Sequence, residues 1–206
     1  MEAGTERKIK RRMPAPARRE RILAAALEQF AAAGFDRTSM GAIAERAGVT
    51  RAVLYDHFDS KQALYLAVLS ERNTAFLGHV GARITGGGGP RERMRETIET
   101  VFDFAAADPA GWRLLFGRDV PAGGEPARAV AQIHAELVAA VTALLAADAE
   151  AAGIDPGSAG AGAMVEMLIA ALRGAVEWQA ANPDVPGEQV VDAAMELLWR
   201  GLGRER

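Results

Sequence analysis

A short segment near the N-terminus concentrates side chains that can bond to nucleic acid. The stretch TRAVLYDHFDSK, residues 50–61, carries Thr50, Arg51, Tyr55 and His57 in a chain rich in alanine and leucine. A guanidinium donates in pairs to guanine, hydroxyl and imidazole groups donate to phosphate oxygens, and small apolar side chains contact the thymine methyl group. These residue types therefore predict contacts with double-stranded DNA, provided that one helix presents them together.

The residues around this segment predict two short helices joined by a tight turn. Ser39 can cap the first helix, Gly48 can adopt the left-handed conformation that the turn needs, and Thr50 can cap the second helix. Such a pair is typical of the helix-turn-helix unit, whose second helix enters the major groove. The periodicity alone also allows a plain helical hairpin.

Residues 18 to about 69 resemble the N-terminal domain of the TetR family of transcriptional regulators. Several landmarks occur in the correct order and spacing, which makes the match more specific than a single short motif. They are Gly34-Phe35, Thr38-Ser39, IAERAGV at 43–49, LYDHF at 54–58 and SKQAL at 60–64.

The resemblance implies a dimeric, repressor-like protein that reads DNA with its third helix. It assigns phosphate contacts to some residues and base edges to others. By position, Thr38, Ser39, Tyr55, His57 and Lys61 would contact phosphates, while Thr50, Arg51, Ala52 and Val53 would face bases.

Some of these residues also have structural interpretations. Tyr55 could pack into the core with its hydroxyl at the surface, His57 could be a surface histidine, and Ser39 could act only as a helix cap. Gly41 stands where such regulators often carry a longer polar side chain, so one contact with DNA is expected to be missing. Asp56 is unfavourable beside phosphate unless it is turned away or paired.

The whole chain is expected to be all-α, with about nine helices and no internal repeat. Apolar residues recur at helical spacing, and the intervening segments are rich in glycine and proline. We expect a basic flexible arm at 1–16, a helix-turn-helix domain at 17–61 and a helical regulatory and dimerisation domain at 62–206. The expected helices are 17–33, 39–46, 50–57, 60–83, 91–107, 109–117, 126–151, 158–181 and 187–202.

Charge is distributed unevenly along the chain. Its net charge is −3, yet residues 1–61 hold 12 Lys and Arg against 8 Asp and Glu, whereas residues 62–206 hold 12 against 19. Much of the excess comes from RKIKRR and ARRER, before and after two prolines. This arm could bind phosphates or serve only as a solubilising tail. The acidic remainder argues against a nonspecific chromatin protein.

The composition and the apolar segments also indicate the cellular compartment of the protein. The chain has no cysteine, which excludes thiolate chemistry and disulfides and fits a reducing compartment. The apolar run near the N-terminus is broken by Glu28 and Gln29, so it predicts an amphipathic helix rather than a signal peptide. No run reaches the roughly 18 uninterrupted apolar residues expected of a membrane span. We therefore expect a cytoplasmic protein with no membrane partner.

The two C-terminal helices are candidates for a dimer interface. Their apolar faces could form a four-helix contact between subunits, or could simply close the core of one subunit. The predicted interface residues are Met164, Leu168, Leu172, Ala175, Val191, Met195 and Leu198.

Large side chains in the middle of the chain are candidates for an effector pocket. Apolar pockets with a few polar groups commonly bind small molecules, although the same residues at helical spacing are often ordinary core. The candidates are Phe102, Phe104, Trp112, Leu115, Phe116, His134, Met167 and Trp178. The effector itself is not specified by the sequence.

A helical enzyme, or a ligand-binding protein without DNA binding, is the competing class. His57, His79 and His134 lie far apart and form no metal-binding motif, so neither a metal nor a cofactor is expected. The segment GGGGPRER lacks the Lys-Ser/Thr ending of a phosphate loop, and no nucleophile elbow occurs. We therefore expect a non-enzymatic regulator whose partners are an operator, a second subunit and a small molecule.

Overall fold

The computed structural model describes residues 14–84, 88–117 and 121–202, with the side chains of 84 and 200–202 excepted. All regular structure in these ranges is helical, which confirms the all-α prediction. The helices are α1 (Ala15–Arg37), α2 (Met40–Ala47), α3 (Arg51–Tyr55), α4 (Lys61–Ile84), α5 (Pro90–Ala107), α6 (Pro109–Phe116), α7 (Gly124–Leu144), α8 (Ala146–Ala151), α9 (Ala159–Ala181) and α10 (Gly187–Leu202).

The helix count differs from the expected nine because one predicted helix is interrupted. The segment 126–151 divides at Leu145, whose φ of −93° and ψ of 2° separate α7 from α8. This bridge-region conformation bends the chain without requiring glycine or proline, so the sequence carried no strong signal for it.

Helix α1 is longer than predicted at both ends. It begins at Ala15. Proline is tolerated at position 16 because N–H groups in the first turn have no acceptor within the helix, so a missing one costs no hydrogen bond. Near its C-terminal end, Gly34 has φ 76° and ψ 167°, a conformation that L side chains disfavour. The resulting kink lets the Phe35 ring meet Tyr65 edge-on, with 5.0 Å between ring centres.

The first of two hydrophobic cores joins α1, α2 and α3 to the N-terminal half of α4. Its buried residues include Phe30, Ile43, Leu54 and Leu64, and it extends to Leu69. The predicted domain boundary after residue 61 therefore falls at the start of a helix that both cores share. The boundary itself stays a prediction.

The second core occupies the space among α4, α5, α6, α7, α9 and α10. Its centre is a group of aromatic rings around Phe76, which lies 5.2 Å from Phe104 and 5.1 Å from Phe116 between ring centres. Trp112 stacks obliquely on Phe116 at 4.3 Å. We call Phe76, Phe104, Trp112 and Phe116 the aromatic cluster.

Helix α6 contacts both cores. Trp112 and Phe116 face the second core, while Leu114 packs against the first and Leu115 touches both. The helix is capped by Asp108, whose side chain accepts a hydrogen bond from the Gly111 backbone N–H at 2.9 Å. A displacement of α6 would therefore change the packing of both cores.

Two helices, α7 and α9, are long and apolar enough to cross a membrane by length and composition alone. Both also supply core residues, Leu137 and Val141 from α7 and Val165 and Leu172 from α9. Core helices of folded proteins commonly pass such a test, so these two helices are weak grounds for a membrane role.

Candidate nucleic-acid interface

The turn between α2 and α3 has the geometry that the sequence predicted. Gly48 has φ 64° and ψ 35°, and its N–H bonds to the carbonyl groups of Ala44 and Glu45. Ser39 caps α2 by accepting from the Ala42 N–H at 3.1 Å, and Thr50 caps α3 by accepting from the Val53 N–H at 3.3 Å. Local hydrogen bonds thus place the start of α3 at the protein surface.

Helix α3 presents an exposed polar face. Arg51 and Ala52 are exposed, and 49 % of the Tyr55 surface is accessible, whereas Leu54 is completely buried. His57 lies just after the helix and is partly exposed. The residues predicted to meet DNA therefore lie mostly on the outside, with Leu54 anchoring the helix from below.

Unlike Arg46 and Arg37, Arg51 has a guanidinium with no hydrogen-bond or ion-pair partner among the described residues. Arg46 is paired with Glu28, and Arg37 donates to the Ala33 carbonyl at 2.8 Å. Arg19 lies over the Phe58 ring, 5.3 Å from its centre. The guanidinium of Arg51 therefore keeps its N–H donors available for an outside acceptor.

Thr38 is placed differently from the prediction. Its side chain is 4 % exposed, and its hydroxyl donates to the carbonyl oxygens of Gly34 at 2.7 Å and Gln29 at 3.2 Å. The hydroxyl thus stabilises the kinked end of α1. This orientation does not support a phosphate contact through the Thr38 side chain.

Lys61 also points into the protein. Its ammonium donates to the carbonyl oxygens of Phe35, Asp36 and Thr38 at 2.8, 3.3 and 3.0 Å, respectively. It additionally lies 4.4 Å from the centre of the Phe35 ring. A phosphate contact from Lys61 would require its ammonium to leave these oxygens, so this contact stays a prediction.

The basic arm lies largely outside the described residues. Within 14–61, the basic side chains at 18, 19, 21, 37, 46, 51 and 61 outnumber the acidic ones by one. The positive balance of this region therefore depends on the segment that precedes α1.

The predicted dimer residues divide between the core and the surface. Leu172, Val191 and Met195 are 5 %, 5 % and 4 % exposed and belong to the second core, so their role in a dimer interface stays a prediction. Leu168 and Leu198 pack partly against the same core, Ala175 is partly exposed, and Met164 is 38 % exposed. Helix α9 is apolar around most of its circumference, so periodicity alone could not select its buried side.

Two residues predicted for the pocket lie instead on the outside of α9. Met167 is 62 % exposed and Trp178 is 50 % exposed, and Leu197 of α10 is 68 % exposed. We call these three side chains, with Met164 and Gly174 of α9, the outer face. An apolar surface of this kind is typical of a protein contact.

Five other pocket candidates belong to the second core or pack against it. Phe104, Trp112 and Phe116 are buried in the aromatic cluster, and Phe102 and Leu115 pack beside the core. Sequence reasoning missed Phe76, although its spacing from Val80 on α4 is that of a buried helix face. These residues lie together, and the rings of the aromatic cluster contact one another.

Buried polar atoms accompany the aromatic cluster. Asn73 Oδ1 and His79 Nε2 on α4 are buried without a hydrogen-bond partner among the described residues. The His79 ring lies 5.9 Å from that of Phe104. Buried polar atoms without a partner are rare in folded proteins, so these two atoms mark a place where a further polar group could bind.

A separate open groove of about 570 Å³ lies between α7 and the beginning of α9. Its lining includes Val138, Thr142, Ser158 and Glu166. His134 lies within 3.1 Å of both carboxylate oxygens of Glu166, at the surface. The predicted pocket residue His134 therefore belongs to a link between α7 and α9, away from the aromatic cluster.

Ion pairs join α5 to α8 and to α10. A hydrogen bond to Asp148 raises the pKa of Arg93 above its usual value, and one to Asp192 does the same for Arg95. Both arginines remain charged at any physiological pH. The described ranges contain no cluster of His, Asp and Glu that could hold a metal ion.

Comparison with known proteins agrees with this geometry. The family model described as "Bacterial regulatory proteins, tetR family" matches residues 22–68. The chain is 32 % identical over 191 residues to the HTH-type transcriptional activator FasR of Mycolicibacterium smegmatis, which covers 93 % of this chain and 85 % of that protein.

Solved structures share the fold over nearly the whole chain. A TetR-like transcriptional regulator from Rhodococcus sp. RHA1 has a TM-score of 0.73 at 23 % identity, covering 94 % of this chain and all of that one. FadR from Bacillus subtilis, in complex with stearoyl-CoA, has a TM-score of 0.68 at 18 % identity, covering 87 % and 96 %. The chain belongs to the TetR family and is a DNA-binding transcriptional regulator.

Proposed function

We propose that this regulator binds a near-palindromic operator as a homodimer and that a small molecule changes its affinity for DNA. The observation that carries the proposal is the exposed guanidinium of Arg51, unpaired within the described residues, on the first turn of α3. One such helix covers only part of a half-site. Two of them, held about 34–36 Å apart, would read successive major grooves on one side of the duplex.

Base contacts are assigned to Thr50, Arg51, Ala52 and Val53 at the start of α3. Arg51 would donate a bidentate pair to guanine, while Ala52 and Val53 would meet thymine methyl groups. Tyr55, His57 and Ser39 would contact phosphates, which fix the register of the helix without reading sequence. Thr38 is buried and Lys61 is bonded to carbonyl groups, so these two have the least support among the predicted phosphate contacts.

The outer face of α9 and α10 is the proposed dimer interface. It holds the large apolar side chains of Met164, Met167, Trp178 and Leu197, which are exposed in the single subunit. Gly174, on the same side of α9, would allow close approach of a second helix. Burying these side chains against a second copy would remove apolar surface from water.

The effector is proposed to bind beside the aromatic cluster. Support comes from the buried, unpaired atoms of Asn73 and His79, which a polar group of the ligand could satisfy. The rings must separate for an apolar chain to enter. The neighbour crystallised with stearoyl-CoA makes a long-chain acyl thioester the first compound to try.

Effector binding and DNA binding would be coupled through α6 and α4. A ligand that displaces Trp112 and Phe116 also moves Leu114, which packs on the DNA-binding core. Linkage then requires DNA to change ligand affinity by the same factor as ligand changes DNA affinity. Calorimetric titration of stearoyl-CoA with and without operator would detect this reciprocity, and equal ligand affinities would contradict it.

We propose that the protein represses transcription. Activation is the alternative, because the relative FasR is named a transcriptional activator. The position of the operator relative to the promoter decides between them, because a dimer covering the promoter blocks polymerase. A reporter gene transcribed with and without the protein distinguishes the two signs. We propose a cytoplasmic, non-enzymatic protein, since its partner is genomic DNA.

Genomic DNA affinity selection followed by footprinting tests the proposal as a whole. We expect a few enriched fragments that share an inverted repeat, with protection of both half-sites. The Arg51→Ala variant should lose preference at one base position in each half-site. Enrichment of random fragments by the unmodified protein would overturn the proposal.

A further inference from the structure

The guanidinium of Arg51 lies against the backbone of α2 at Gly41. A Cβ atom placed on Gly41 would lie 2.8 Å from Cζ and 2.9 Å from Nε of Arg51, and closer still to Nη2. Real Cβ atoms do not approach other atoms this closely. The guanidinium therefore occupies the space that any side chain at position 41 would take.

The backbone at position 41 does not itself require glycine. Gly41 lies inside α2 and is absent from the positive-φ glycines, which include Gly34 and Gly48. Glycine within a helix weakens that helix relative to alanine. The contact with Arg51 therefore gives a reason for glycine at this position.

A residue larger than glycine would move Arg51 rather than unfold the domain. The atoms in conflict belong to the far end of a flexible, exposed side chain. No hydrogen bond or ion pair within the described residues holds the guanidinium in another direction. The presence or absence of a side chain at position 41 therefore decides whether the Arg51 side chain can lie against α2.

We propose that Gly41 is a specificity-determining position, because its missing side chain lets the Arg51 guanidinium lie along α2 and so sets which base edge it reaches. The proposal rests on the proposed base-reading role of Arg51. Gly41 acts here as a positioning residue, through Arg51, and its effect should vanish when Arg51 is removed.

The test selects binding sites from a randomised double-stranded DNA pool with the full-length protein. Four forms are compared, namely the unmodified protein, Gly41→Ala, Arg51→Ala and the double variant. Gly78→Ala is the matched control, because Gly78 also lies inside a helix and an added Cβ there would meet nothing within 4 Å.

Arg51→Ala should reduce discrimination at one base position by roughly 5- to 150-fold, the range a bidentate contact provides. Gly41→Ala should alter base preference at that same position while its melting temperature stays equal or rises. The double variant should match Arg51→Ala, and Gly78→Ala should match the unmodified protein. Gly41→Ser adds the same Cβ and should affect the same position.

Two results would overturn the inference. One is an unchanged base preference in Gly41→Ala and Gly41→Ser while Arg51→Ala still loses discrimination. The other is an equal effect of Gly41→Ala with and without Arg51, which would make position 41 act on its own. An unchanged preference in Arg51→Ala would instead reject the proposed base-reading role itself, and this proposal with it.

Discussion

The ammonium of Lys61 lies 2.8 Å from the carbonyl oxygen of Phe35 and 3.0 Å from that of Thr38. It joins the first residue of α4 to the kinked end of α1 and to the residue preceding the Ser39 cap. These carbonyl groups have few partners within α1, as is usual at a helix C-terminus. Lys61 thereby fixes where α2 begins relative to α4.

Substitution of Lys61 should therefore affect stability even without DNA. Lys61→Ala removes charge-assisted hydrogen bonds and the contact with the Phe35 ring, and we expect a loss of about 1–3 kcal/mol in the free energy of unfolding. Urea denaturation measures this loss. An unchanged free energy of unfolding would contradict the positioning role.

The phosphate role of Lys61 is tested separately by salt dependence. If its ammonium also binds DNA, Lys61→Ala should weaken all sequences alike and reduce the salt slope by about one unit. If the slope keeps its value while stability falls, Lys61 acts only within the protein. Arg37→Ala is a suitable control, since Arg37 is exposed and, among the described residues, bonds only to the nearby Ala33 carbonyl.

Local signals explain why the DNA-binding half could be predicted. The caps Ser39 and Thr50 and the turn glycine Gly48 act within a few residues of their own positions, so the sequence displays them directly. The contacts of Lys61 span up to 26 residues along the chain. Neither these contacts nor the bond from the Thr38 hydroxyl to the Gln29 carbonyl, nine residues away, leaves a local pattern.

The regulatory half was harder to predict for a different reason. On α9, Met167 and Leu172 are both apolar, and their separation by five residues places them on different sides of the helix. Sequence could not show that Leu172 enters the core while Met167 stays outside. Only the packing of α9 against α7, α5 and α10 distinguishes the two sides.

The proposed dimer interface predicts distinct outcomes for these two residues. Met167→Glu should give a folded monomer that binds operator poorly, because it places a charge in the contact between subunits. Leu172→Glu should unfold the domain, because the charge is buried within one subunit. Sedimentation velocity and circular dichroism measure the two effects.

Ala180→Glu is the matched control for the interface. Ala180 is exposed and lies roughly 220° around α9 from Met167. It should leave a stable dimer. A dimeric Met167→Glu, or a monomeric unmodified protein at micromolar concentration, would reject the interface.

The N-terminal arm should contribute to DNA affinity through its charge. Deletion of residues 2–13 removes five Lys and Arg but ends before α1, so the fold should be preserved. Affinity should fall most at low salt, where the release of counterions into solution is most favourable. Equal affinity with and without the arm across a salt titration would assign it to solubility.

Substitutions of Asp108 should distinguish the contribution of the helix cap to stability from that of the ion pair. Its Oδ1 accepts from the Gly111 N–H, and its Oδ2 lies 3.2 Å from Arg72 Nη1 on α4. Asp108→Ala should cost about 0.5–2 kcal/mol in unfolding free energy through loss of the cap. Asp108→Asn keeps a good capping group, so it should cost less.

The same two variants test the connection from α6 to α4. Both remove the charge that pairs with Arg72, and both should therefore weaken the effect of an effector on DNA binding. Thermal unfolding and operator titration, with and without effector, measure the two properties. Equal stability losses in Asp108→Ala and Asp108→Asn would show that the ion pair, rather than the cap, stabilises this corner.

The most direct test of sequence-specific dimeric binding is a fluorescence anisotropy titration at physiological salt. It compares the selected operator with a scrambled duplex of the same length and composition, and with the operator carrying one intact half-site. We expect two subunits per inverted repeat, a preference of roughly 1,000-fold or more over scrambled DNA, and a large loss on the single half-site. Equal affinity for the operator and the scrambled duplex would contradict the account.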